Sequence, residues 1–196
     1  LYIVQPLDVR NRPWYQDAAK RGKPGWSKVF PVVDDEILNI NAYRPLYDRT
    51  NHKLLGVFSV HLNLEKISQF LQKLKIGKSG KVFIIERNGL LIANSIDQKP
   101  FLIQNMTQKN RKFQRLKPAD SSNALISATG RYLTEKFGGN FKQIKTNTSL
   151  EFIKNGQRKF VEVLPFKDKF GLDWLIVVVV PESDFMEQIN ANNRNT

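Results

Sequence analysis

A chain of 196 residues with 41% hydrophobic residues and three tryptophans is long enough for one large domain or two small ones with real cores. It contains no cysteine, which excludes thiolate catalysis, zinc-thiolate sites and disulfide staples together. Its formal net charge of +13 invites a nucleic-acid reading, but the basic residues scatter through predicted loops and strand edges and form no basic helical face with interleaved aromatics.

The chain opens as a strand, Leu1 to Pro6, without a start methionine, and reads as a fragment of a longer protein. Arg10-Asn11-Arg12-Pro13-Trp14-Tyr15 follows, with Pro13 placed to open a short helix that Gly22, Pro24 and Gly25 end. Trp26 to Val33 and Glu36 to Arg44 are predicted strands joined at Asp34-Asp35, and Asp48 to Asn51 is a polar turn. Leu54 to Leu62 alternates, with Phe58, Val60 and Leu62 on an expected packed face and Val57, Ser59 and His61 on a partly polar one. Asn63 is positioned to cap a connecting helix whose apolar positions Leu64, Ile67, Phe70, Leu71 and Leu74 recur at helical spacing.

A second unit begins at Gly77. Val82 to Ile85 and Leu90 to Ala93 flank Asn88-Gly89, a strong hairpin signal. A polar stretch from Asn94 to Asp120 leads to a helix near Ser122 to Phe137, with Gly138 as its stop. Asn155-Gly156 marks another hairpin, between Ser149 to Lys154 and Gln157 to Leu164. Asp173 to Val180 is apolar on both faces and so central to a sheet, and Phe185 and Ile189 lie four apart on a final helix after Pro181. Both units mix antiparallel strands with peripheral helices, an α+β pattern.

Catalytic motifs are missing. Gly77-Lys78-Ser79 resembles the end of a phosphate-binding loop, but Gln72 stands where that pattern needs glycine. His52 and His61 lack metal-ligand spacing, no serine sits in a nucleophile elbow, and Asp34-Asp35-Glu36 reads as a solvated turn. No cofactor, metal or catalytic residue is expected. The longest apolar run, Trp174 to Val180, falls far short of the roughly 20 residues that cross a bilayer.

Arg12, Trp14 and Tyr15 admit two readings. A guanidinium fork matches a carboxylate, and the two rings supply a flat wall with polar tips, which together can clamp a small anion. Alternatively, the rings are core aromatics and Arg12 a surface charge above them.

Three blocks, Arg10 to Tyr15, Leu54-Leu55-Gly56-Val57-Phe58-Ser59-Val60-His61-Leu62 and Ile76-Gly77-Lys78-Ser79-Gly80-Lys81-Val82-Phe83-Ile84-Ile85-Glu86-Arg87-Asn88-Gly89-Leu90-Leu91-Ile92-Ala93, resemble in combination the double Cache sensor domain of bacterial transmembrane receptors. The resemblance implies two PAS-like lobes: a membrane-distal one at 1–62, incomplete for want of a long N-terminal helix, and a membrane-proximal one at 77–180. Between them lies a connecting helix at 63–76, and after them an exit helix at 181–196. It also implies a periplasmic, non-enzymatic module of a histidine kinase, cyclase or chemoreceptor, homodimeric in the full receptor and anchored through flanking membrane segments.

In amino-acid-binding members of that family, the Arg-x-Trp-Tyr block holds the ligand carboxylate, which carries over here to Arg12, Trp14 and Tyr15. The family's next-strand Tyr and Asp fall near Phe30 and Val32, and its amine-binding Asp falls at His61. An ammonium therefore lacks its anionic partner, and Arg12, Trp14, Tyr15, Phe30, Val32, Arg44 and His61 are expected to suit a small organic anion better than an α-amino acid. The alternative is a basic module that binds nucleic acid or an anionic surface.

Overall fold

The computed structural model describes residues 8–32, 35–105 and 111–186. The expected first strand, the Val33-Asp34 junction and Ile189 lie outside the described residues. The chain divides into two compact units, one of Leu1–Asn63 with Asp168–Leu172 and one of Leu64–Lys167 with Asp173–Thr196.

In the first unit, α1 (Pro13–Arg21) starts at its proline and stops at Gly22, whose φ of 67° is the left-handed cap that lacks a Cβ penalty. Four strands follow: β1 (Gly25–Trp26), β2 (Phe30–Val32), β3 (Ile37–Tyr47) and β4 (Leu54–Asn63). The expected strand from Trp26 to Val33 is broken in two, because Ser27 turns its backbone N–H and its hydroxyl to Asn41 of β3. All pairings are antiparallel, and β3 pairs with each of the other strands. Asp168 accepts a 2.6 Å bond from the Trp26 indole within this unit.

The expectation of a packed face on β4 needs correction. Phe58 and Val60 are 64% and 55% exposed, although Ile40, across from Leu62 on the same face, is buried. Alternation reveals which residues share a face and not what lies against it.

The second unit is built on a five-stranded antiparallel sheet in the order β6 (Leu91–Asn94), β5 (Lys81–Glu86), β11 (Asp173–Pro181), β10 (Gln157–Lys167), β9 (Thr148–Lys154). β11 is central, as its two-sided apolar pattern predicts. Asn155 and Gly156 adopt φ of 51° and 72°, the left-handed pair of a tight hairpin turn. Phe83, Ile85, Val161, Val163, Leu175 and Val177 form the core with Ile126 and Leu133 of α3 (Ala124–Phe137), each buried side chain contributing about 1.5–3 kcal/mol. The connecting helix α2 (Leu64–Lys73) buries Leu64, Ser68 and Leu71 and packs on β6.

The polar stretch from Asn94 to Asp120 hides an unexpected antiparallel hairpin, β7 (Phe101–Asn105) with β8 (Arg111–Arg115). β8, Arg-Lys-Phe-Gln-Arg, is too charged to read as a strand, and it leaves the apolar Phe101-Leu102-Ile103 of β7 without an evident partner, yet Phe101 and Phe113 meet across the pair at 5.2 Å between ring centroids.

Candidate ligand-binding site

Arg12 is extended, as a residue before proline must be, and immediately precedes α1. It is exposed, and among the described residues nothing holds its guanidinium by hydrogen bond or ion pair. Trp14 and Tyr15, in the first turn, are half-buried and meet edge-on at 5.7 Å. The positive end of the α1 dipole thus coincides with an uncommitted cation. Arg10, by contrast, is spent on an exposed ion pair with Asp8 at 2.8 Å.

The sheet supplies the second wall. Phe30 lies opposite Asn39, Asn41 opposite His61, and Tyr43 opposite Ser59, so these side chains share one face; Val32, opposite Ile37, shares it too. A Cβ on Gly25 would stand 2.8 Å from Arg21 Nη1 and 3.0 Å from the Tyr43 hydroxyl, which sets the end of α1 over this same face. Arg44 lies across from Phe58 on the opposite face, so the fold separates it from Phe30, Val32 and His61.

Asn39, Asn41 and Ser59 were not among the expected site residues. Asn41 is 0% exposed, yet neither its amide oxygen nor its amide nitrogen has a partner among the described residues. Asn39 Oδ1 and Ser59 Oγ are buried and equally unpaired. The signal was present in the alternation Leu38-Asn39-Ile40-Asn41, which puts two amides on one face of an otherwise apolar strand. Among the described residues, no group of three or more His, Cys, Asp or Glu is arranged for a metal ion, and no helix is long and apolar enough to cross a membrane.

The loop that mimics a phosphate-binding motif has a different role. Asp184, in the helical segment at 182–186, accepts from the backbone N–H groups of Lys78, Ser79 and Gly80 at 2.9, 2.7 and 3.2 Å and from the Ser79 hydroxyl at 2.9 Å. The loop is an anion nest that the chain fills with its own carboxylate. Burial pushes the Asp184 carboxyl up, but the bonds from Ser79, Lys78 and Gly80 outweigh it and hold it below the usual carboxylate range. Gly77, at φ 58°, is required because a Cβ there would come within 2.6 Å of that carboxylate.

With this geometry in place, comparison with known proteins is decisive for the family. A family model described as Cache domain matches residues 2–189, and the chain belongs to that family. Domains of this kind are extracytoplasmic, non-catalytic sensor domains of membrane receptors, and the PAS-like α+β fold with antiparallel sheets agrees with it. The methyl-accepting chemotaxis protein McpB of Bacillus subtilis (strain 168) is 30% identical over 93 residues, which amount to 47% of this chain and 13% of McpB. The ligand-binding domain of the amino acid chemoreceptor PctB of Pseudomonas aeruginosa PAO1, in complex with L-Arg, superposes with a TM-score of 0.54 at 18% identity, covering 91% of this chain and 63% of that one. That of PctC from the same organism, in complex with GABA, gives 0.55 at 19% identity, covering 90% and 64%. The chain thus spans less than two thirds of each of these proteins.

Proposed function

We propose that this sensor domain receives a small organic anion, above all a carboxylate, on the α1-facing side of the first unit's sheet. The observation that carries the reading is Asn41, fully buried with both polar atoms of its side chain unpaired among the described residues. An orphaned buried group costs about 1–3 kcal/mol, a cost that a guest offering matching hydrogen bonds removes. Asn39 and Ser59 extend the same polar floor, Phe30 and Val32 flank it with apolar surface, and His61 stands on the same face opposite Asn41. Arg12 offers a planar fork for the carboxylate, with Trp14 and Tyr15 beside it.

None of these side chains is a carboxylate, so a ligand ammonium finds no anion here to replace its water. PctB and PctC bind L-Arg and GABA, which pair a carboxylate with cationic groups; this site retains the carboxylate half of that chemistry. In the parent receptor the first unit is the membrane-distal lobe, on the extracytoplasmic side of a bacterial membrane, and the second is the proximal relay. Occupancy is relayed as a population shift in the helix that leaves Pro181, within a homodimer.

Thermal unfolding of the purified chain with small carboxylates, alanine and leucine tests the reading. Organic acids without an ammonium are expected to raise the Tm. A shift with alanine or leucine and none with organic acids refutes the ligand class.

A further inference from the structure

We infer that the second unit carries an anion site of its own, separate from the site on the first. A cleft of about 440 Å³ opens there between the N-terminal turn of α3, the β9–β10 hairpin and the start of the exit segment at Pro181 and Ser183. The volume suits a small ligand. Lys81, Lys154 and Lys159 line it, and no Asp or Glu does.

Lys159 is the telling residue. It is only 8% exposed, yet among the described residues the acceptor for its ammonium is a neutral one, Gln157 Oε1 at 2.8 Å. An ammonium has three donors, and burying it against a single amide leaves its desolvation poorly compensated. Lys81 is half-buried and, among the described residues, donates only to the carbonyls of Ser79 and Gly80, both at 3.2 Å. Two cations facing one cleft repel each other unless an anion lies between them, and a third, Lys154, stands at the rim.

The N-terminus of α3 adds a positive field, although Asn123 already occupies the Leu125 and Ile126 amides, so direct hydrogen bonds must come from the lysines. Lysines are point charges without a planar fork, which favours a tetrahedral, multiply charged oxyanion over a carboxylate. The geometry therefore points to a phosphate-type group, either free or on a lipid headgroup. Because the cleft touches Ser79, which bonds to Asp184, and Ser183, which precedes Asp184 in the chain, such an anion lies beside the Asp184 nest and bears on how the exit segment is held.

Inorganic phosphate and pyrophosphate, titrated calorimetrically into the chain at matched ionic strength, and sedimentation with phosphatidylcholine vesicles with or without phosphatidic acid, test the site. Binding of at least one phosphate form, weakened about tenfold or more in Lys159→Met and unchanged in Arg12→Ala, is expected. Soluble phosphate alone identifies a free ligand, and binding only to phosphatidic acid vesicles identifies a headgroup. If Lys159→Met fails to fold, the Lys81→Gln/Lys154→Gln pair takes its place with the same expectation. Binding no stronger than that of chloride, preference for a dicarboxylate, equal affinity in the lysine variants, or loss in Arg12→Ala overturns the inference.

Discussion

The two units treat their buried polar groups in opposite ways. In the second, the partners are internal: Asp184 gathers four hydrogen bonds from one loop, and Arg87 divides its fork between Asp173 at 2.7 Å and the carbonyls of Phe141 and Ile144 at 3.0 and 2.6 Å. Arg115 does the same with Glu86 and the Leu91 carbonyl. Each arginine leaves one nitrogen over, but most of its fork is committed. In the first unit, the side-chain amide of Asn41 is buried with no partner among the described residues. Polar groups that satisfy one another rigidify a scaffold, whereas polar groups left in surplus mark where something else is meant to bind.

That contrast is breakable. Arg87→Met removes three hydrogen bonds at once, to Asp173 and to the carbonyls of Phe141 and Ile144, and is expected to cost about 3 kcal/mol in urea unfolding, the largest effect of the set. A loss below about 1 kcal/mol would show that the network is ornamental.

Asp184→Asn should cost about 2 kcal/mol at neutral pH. Its folded pKa lies below the ordinary 3.8, so its contribution is present above that value and disappears as pH falls through the folded pKa. Asp168, also lowered, behaves with the same sign, because its bonds from Trp26 and the Leu172 backbone overcome burial. An acid titration of stability should therefore be flatter in Asp184→Asn than in the wild type; identical slopes would remove the nest from the account.

Asn41→Leu should be close to neutral, within about 1 kcal/mol, because it removes a buried amide of similar size that has no partner among the described residues. The same change should abolish the Tm shift produced by organic acids. Arg12→Ala, smallest in stability, should leave the unliganded Tm unchanged and weaken ligand binding about tenfold or more, since an uncommitted surface cation contributes nothing to the fold.

Much of this architecture was legible because local chemistry decided it. Pro13, Gly138 and the Asn88-Gly89 and Asn155-Gly156 pairs mark ends and turns by dihedral preference alone, and the unbroken apolar run of β11 foretold its central place. Long-range facts were not legible in the same way. Nothing near Gly77-Lys78-Ser79 announces a carboxylate 105 residues away from Ser79, and the β7–β8 pair is disguised by the charges of β8. At the candidate site, the register shows that Phe30, Val32 and His61 share a face and that Arg44 does not, which depends on strand pairing and not on residue type.

The central position of β11 governs the order in which the second unit's sheet can be completed. β5 and β10 both pair with a strand that lies at 173–181, so each keeps a bare edge until nearly all of the unit is available to fold. Exposed strand edges invite pairing with other chains. A chain cut before residue 173 would thus present two sticky half-sheets, β6 with β5 and β9 with β10.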